Sequence, residues 1–104
     1  MASQYVSTVS VNGKPTAVPV SGRVTLTGDS TVEFTVTAAK PVTTQLLVGA
    51  TGAYAAKLDG IALPGGAPVT LSAGPHTVTL TLGKGDASVR LLDPDRVLSF
   101  AEAK

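Results

Sequence analysis

The chain has no cysteine and no tryptophan, and only Tyr5, Phe34, Tyr54 and Phe100 are aromatic among its 104 residues. Without cysteine there is neither a disulfide framework nor a thiolate metal site, and the compartment is left undetermined. Stability has to come from packed aliphatic side chains. Charge is scarce as well: Asp, Glu, Lys and Arg make up 14% of the residues, against about 25% in an ordinary soluble domain. The net charge is +1, and the bases from Lys14 to Lys104 are spread along the chain rather than clustered. Nucleic-acid binding needs clustered bases, often with aromatic platforms, so it is not expected. No apolar run approaches the roughly 20 residues of a membrane-spanning helix, so no membrane partner is expected either. The first residues, MASQYVSTVSVNG, have neither a basic start nor an apolar stretch and do not read as a secretory signal.

What the chain does have is valine and threonine, fourteen of each, with eleven glycines and seven prolines. Both abundant residues are β-branched and prefer strands, and the Gly and Pro content suits frequent turns. The segment Val69–Leu92 reads VTLSAGPHTVTLTLGKGDASVRLL, three alternating runs separated by Ala-Gly-Pro and Gly-Lys-Gly-Asp, residues expected to turn such strands back on themselves. Alternation is the period of a strand with one face in a core and one in water. A similar run at Thr31–Ala38 points Val32, Phe34 and Val36 inward and Glu33, Thr35 and Thr37 outward. Tyr5–Val11 reads as one strand. Val18–Val20, interrupted by Pro19, reads as an edge strand or an extended connection, and Gly49–Gly52 as a loop. Asn12-Gly13 and Asp59-Gly60 are two-residue hairpin signals. Val97–Phe100 reads as a last strand or a short helical turn. The expected fold class is all-β: a single domain over residues 1–104, a two-sheet antiparallel β-sandwich, jelly-roll or Ig-like, of 8–10 short strands. Its expected core is Val32, Phe34, Val36, Leu46, Val48, Leu58, Leu71, Val78, Leu80, Leu82, Val89 and Leu91.

The pattern Lys57-Leu58-Asp59-Gly60 followed by Val69-x-Leu71-x-x-Gly74-x-His76-x-Val78-x-Leu80 resembles the carbohydrate-binding-module jelly rolls of the family 6 and 35 type, mainly over residues 53–92. The resemblance implies a two-sheet sandwich and, in such modules, a glycan ligand held on aromatic rings, often with bound calcium. Tyr54 and Tyr5 are the candidate platform residues, Tyr54 following a Gly-rich loop. Asp86, Asp93 and Asp95 lie in turns, where carboxylates usually cap their own backbone, so no metal and no cofactor are expected.

Catalysis is not expected. His76 is the one histidine, beside a turn, with no nucleophile–base motif near it in the sequence. Glu33 and Glu102 are the only glutamates and form no patterned acid pair, and the glycine pairs lack the strand–loop–helix context of a phosphate loop. The outward Thr-x-Thr runs and the scarcity of charge suggest a surface that other chains cover. The leading expectation is therefore a non-catalytic structural module, free-standing from Met1, that packs with other protein chains into a larger assembly, such as a capsid decoration or accessory protein on a virion surface. The terminal segments, with Tyr5, Val6, Val97 and Phe100, are the expected assembly contacts. The alternative is a glycan-binding accessory module of a secreted, extracellular enzyme. A plain Ig-like adhesion domain is a third reading.

Overall fold

The computed structural model describes residues 3–18, 22–52, 54–63, 67–93 and 96–102. Twelve strands follow one another, with no helix among the described residues: β1 (Ser3–Tyr5), β2 (Thr8–Val11), β3 (Lys14–Ala17), β4 (Arg23–Leu26), β5 (Ser30–Ala38), β6 (Val42–Ala50), β7 (Tyr54–Leu58), β8 (Ile61–Ala62), β9 (Pro68–Leu71), β10 (Gly74–Leu82), β11 (Gly85–Leu92) and β12 (Leu98–Glu102). They form two antiparallel sheets. In the first the order is β1-β11-β6-β9, with β4 also paired to β11. In the second it is β3-β2-β5-β10-β7-β8, with β12 also paired to β5.

The two sheets pack face to face as a sandwich, and the core lies between them. Phe34, Val36 and Leu80 are fully enclosed, and Leu71 and Val78 nearly so. Of the apolar residues expected there, Val48 and Leu58 are half-buried and the rest are buried, while Thr35 and Thr79 are half-buried and Thr81 exposed on the other face. A one-residue slip would have exchanged these two sets, so the register is as the alternation predicts. Phe34 meets Phe100 edge to face at 6.1 Å, a favoured aromatic geometry. The most deeply buried hydroxyl, that of Thr44, donates to the Leu92 carbonyl.

Both hairpin signals form hairpins. Asn12 and Gly13 have φ of 50° and 83°, Asp59 and Gly60 of 51° and 84°, the pair of positive values that lets a two-residue loop match the strand twist. Three expectations are corrected. First, Tyr5–Val11 is two strands, because β1 pairs with β11 in the first sheet and β2 with β3 and β5 in the second. The chain crosses at Val6-Ser7, so Val6 and Val9, three residues apart, both reach the core. Second, the turn residues around Gly74 and Gly85 do not fold β9, β10 and β11 back on one another. β9 pairs with β6, β10 with β5 and β7, and β11 with β1, β4 and β6, so each linker arches from one sheet to the other. Third, Gly49 and Ala50 continue β6 instead of opening a loop. Splitting the first run and adding β3, which ends at Ala17 just before the expected Val18–Val20 segment, accounts for strands beyond the expected 8–10. The expected last strand is present as β12; Pro19 and Val20 lie outside the described residues.

Candidate functional site

Three polar features stand on this frame. The first joins two turns at one end of the second sheet. Leu58 pairs with Val78, so the Asp59-Gly60 turn sits beside the start of β10. There Asp59 Oδ1 accepts the Thr77 backbone N–H at 2.8 Å, and Asp59 Oδ2 lies 2.7 Å from His76 Nδ1. The opposite ring nitrogen, His76 Nε2, lies 2.8 Å from the Ser72 carbonyl and 3.5 Å from the Ser72 hydroxyl. Both ring nitrogens therefore face acceptors, which favours the doubly protonated imidazolium. Chiefly the Asp59 hydrogen bond, then that of the Ser72 carbonyl, raises the His76 pKa above its ordinary 6.5. The same His76 bond, then the Thr77 N–H, holds the Asp59 carboxyl below its ordinary 3.8.

Asp59, His76 and Ser72 have the connectivity of an acid–base–nucleophile triad but not its hydrogen bonding. A general base must receive the hydroxyl proton on Nε2. Here that nitrogen is taken by the Ser72 carbonyl at 2.8 Å, so the cluster works as a lock between the β7–β8 turn and the β9–β10 arch. The sequence gives no acid near His76; the fold brings one in from seventeen residues upstream.

The second feature is Asp93. Its side chain is completely buried, and its two oxygens accept the backbone N–H groups of Val97 at 2.8 Å and Leu98 at 3.1 Å. This carboxylate caps the entry to β12, as turn carboxylates commonly do. Asp86 is exposed at a distance along β11, where it accepts the Thr25 hydroxyl at 2.8 Å, and Asp95 lies outside the described residues. Among the described residues no three metal-ligating side chains gather.

The third feature is the contrast between the outer faces. On the first sheet, Gly49 pairs with Ser88 in the middle of the face. Two open depressions adjoin there and share both residues. One, of about 380 Å³, is lined by Leu47 and Arg90 together with the inner-layer residues Leu46 and Val48 and with Tyr54 of the second sheet; the other, of about 320 Å³, is bounded by Arg23, Thr51 and Asp86. A methyl on Gly49 would lie 2.8 Å from Ser88 Oγ, so the glycine keeps this trough open. The outer face of the second sheet is built from Thr31, Glu33, Thr35 and Thr37 on β5, Thr77, Thr79 and Thr81 on β10, Ala55 and Lys57 on β7, and Ser99 and Ala101 on β12. Glu33 and Lys57 are the charged residues in that set.

The candidate residues distribute as follows. Tyr54 is half-buried, packs against the core and borders the trough. Tyr5 stands in β1, where its backbone pairs with Arg90. Val6 is 2% exposed and committed to the core, Val97 and Phe100 are half-buried against it, and Phe100 sits on β12. The trough was not apparent from the sequence, since it depends on Gly49 and Ser88 becoming cross-strand partners. Compared with known proteins, the chain matches no family model, no curated protein and no solved structure.

Proposed function

We propose that the protein is a non-catalytic interaction module that packs against other protein chains in a larger assembly. The observation that carries this reading is the outer face of the second sheet, on which four adjacent strands present short side chains with one acid and one base. Short, uncharged side chains cost little to desolvate and leave a smooth surface, and depletion of charge marks the centre of protein interfaces. A particle surface such as that of a virion is a setting in which such a module repeats. The test is the mass of the assembly that holds the chain in its native source. The chain should sediment well above its monomer mass, and lysines placed at Thr35 and Thr77 should release it. A chain that runs as a monomer in a native extract overturns the reading.

A second reading, glycan binding, draws on Tyr54 at the border of the trough beside Arg90. Calorimetric titration with a panel of polysaccharides tests it: binding lost in Tyr54→Ala would favour it, and no binding to the panel would remove it.

A further inference from the structure

We infer that the partner on the outer face of the second sheet is a second copy of this chain, stacked on it about a two-fold axis that runs along β10. This rests on the assembly reading and names the partner. The sheet register carries it. Ser10, Glu33, Thr79, Lys57 and Ala62 form one row across β2, β5, β10, β7 and β8. Thr79 is the centre of that row. Glu33 stands one strand to one side of it and Lys57 one strand to the other. Among the described residues neither is in an ion pair; Glu33 accepts a 3.5 Å hydrogen bond from the Thr79 hydroxyl.

A half-turn about β10 places Glu33 of one copy over Lys57 of the other, and Lys57 over Glu33. The face is thereby its own electrostatic complement, the condition for an isologous interface. Of the neighbouring rows, Thr31-Thr81-Ala55 is uncharged, and Ala101-Thr35-Thr77 ends beside Asp59, whose carboxylate is already bonded to His76. In the isolated domain neither side chain is in an ion pair among the described residues. In the stacked pair they fix register and exclude partners of the wrong charge.

The dimensions are adequate. Four strands about 4.8 Å apart, with β10 running nine residues at about 3.3 Å each, offer roughly 500 Å² per copy, or about 1,000 Å² in all. That is the lower end of specific interfaces, so the dimer is expected to be weak and concentration-dependent.

Sedimentation velocity over a concentration series tests the proposal with four samples of the full chain. The parent should shift from monomer to dimer as concentration rises. Glu33→Lys alone and Lys57→Glu alone should each weaken self-association at least about tenfold, by setting like charges opposite one another. Mixed in equal amounts they should recover the dimer, because each charge of one variant then meets its opposite on the other. Unchanged melting temperatures would show that both variants remain folded. A parent that stays monomeric overturns the proposal, as do single variants that dimerise like the parent or a mixture that does not recover. If the native-source assembly persists with either variant, the module reading stands and only this surface and partner fail.

Discussion

The two outer faces of the sandwich belong to different sheets of one antiparallel build, and they differ in shape and in charge. On the first sheet the Gly49–Ser88 pair leaves a trough flanked by Arg23, Asp86 and Arg90. On the second, threonines close the surface into a smooth plane around Glu33 and Lys57. The inner layers of both sheets are mainly aliphatic, apart from the Phe34–Phe100 pair of the second, so the difference between the outer faces lies in the alternate positions that face water. A sandwich can thus hold its fold with one set of residues and vary its surfaces with the other.

The comparison breaks completely if the shared inner layer goes. Phe34→Ala should cost about 3–5 kcal/mol and Leu80→Ala about 2–5 kcal/mol in urea unfolding, since each side chain is fully enclosed between the sheets. Both faces should be lost together. Asp93→Ala should cost about 3 kcal/mol, because it strips the Val97 and Leu98 backbone N–H groups, the latter buried, of their acceptor. Its effect should concentrate in β12, seen as faster hydrogen exchange at Leu98 and Phe100 than at Val78.

The faces themselves can be set against each other. Gly49→Ala should destabilise by about 1 kcal/mol, because its methyl would crowd Ser88 Oγ, and Ser88→Gly in the same chain should recover most of that. Thr79→Ala on the smooth face should stay within about 0.5 kcal/mol in the monomer. An equal cost at the two positions would mean that the faces are not built differently.

The smallest effect is the pH dependence of the turn lock, moderated by solvent because the Asp59 side chain is 47% exposed. The His76 pKa is raised on folding, so its contribution is complete below about 6.5 and is lost as pH climbs through the folded value. The Asp59 pKa is lowered, so its contribution is present above 3.8 and is lost as pH falls through the folded value. Melting temperature should therefore decline on the alkaline side of the histidine titration in the parent, and this component of the decline should vanish in His76→Gln.

Much of the fold was legible because alternation dictates burial. Val32, Phe34, Val36, Val78 and Leu80 fall where the period of two puts them, and Asn12-Gly13 and Asp59-Gly60 make the turns that their positive φ permits. Pairing partners were not legible. An alternating strand buries one face equally well in a hairpin or in an arch, so nothing local to Gly74 or Gly85 announces that β9, β10 and β11 alternate between sheets. The crossing at Val6-Ser7 was hidden for the same reason, since Val9 and Val11 continue the pattern that Tyr5 and Ser7 begin. His76 stood out as a residue, but its partner Asp59 needed the β7–β10 register to bring it near. The complementary placement of Glu33 and Lys57 likewise exists only across three paired strands.

The central claim is that the smooth face, not the indented one, meets a second copy. The natural absence of cysteine allows a direct measurement. Thr79→Cys and Ser88→Cys place a single thiol at the middle of each outer face, and a short bis-maleimide cross-linker is applied at a concentration where the parent self-associates. Rapid conversion of Thr79→Cys to a covalent dimer, with Ser88→Cys staying monomeric, is the predicted result. Faster cross-linking at Ser88→Cys, or equal slow rates at both, would contradict it.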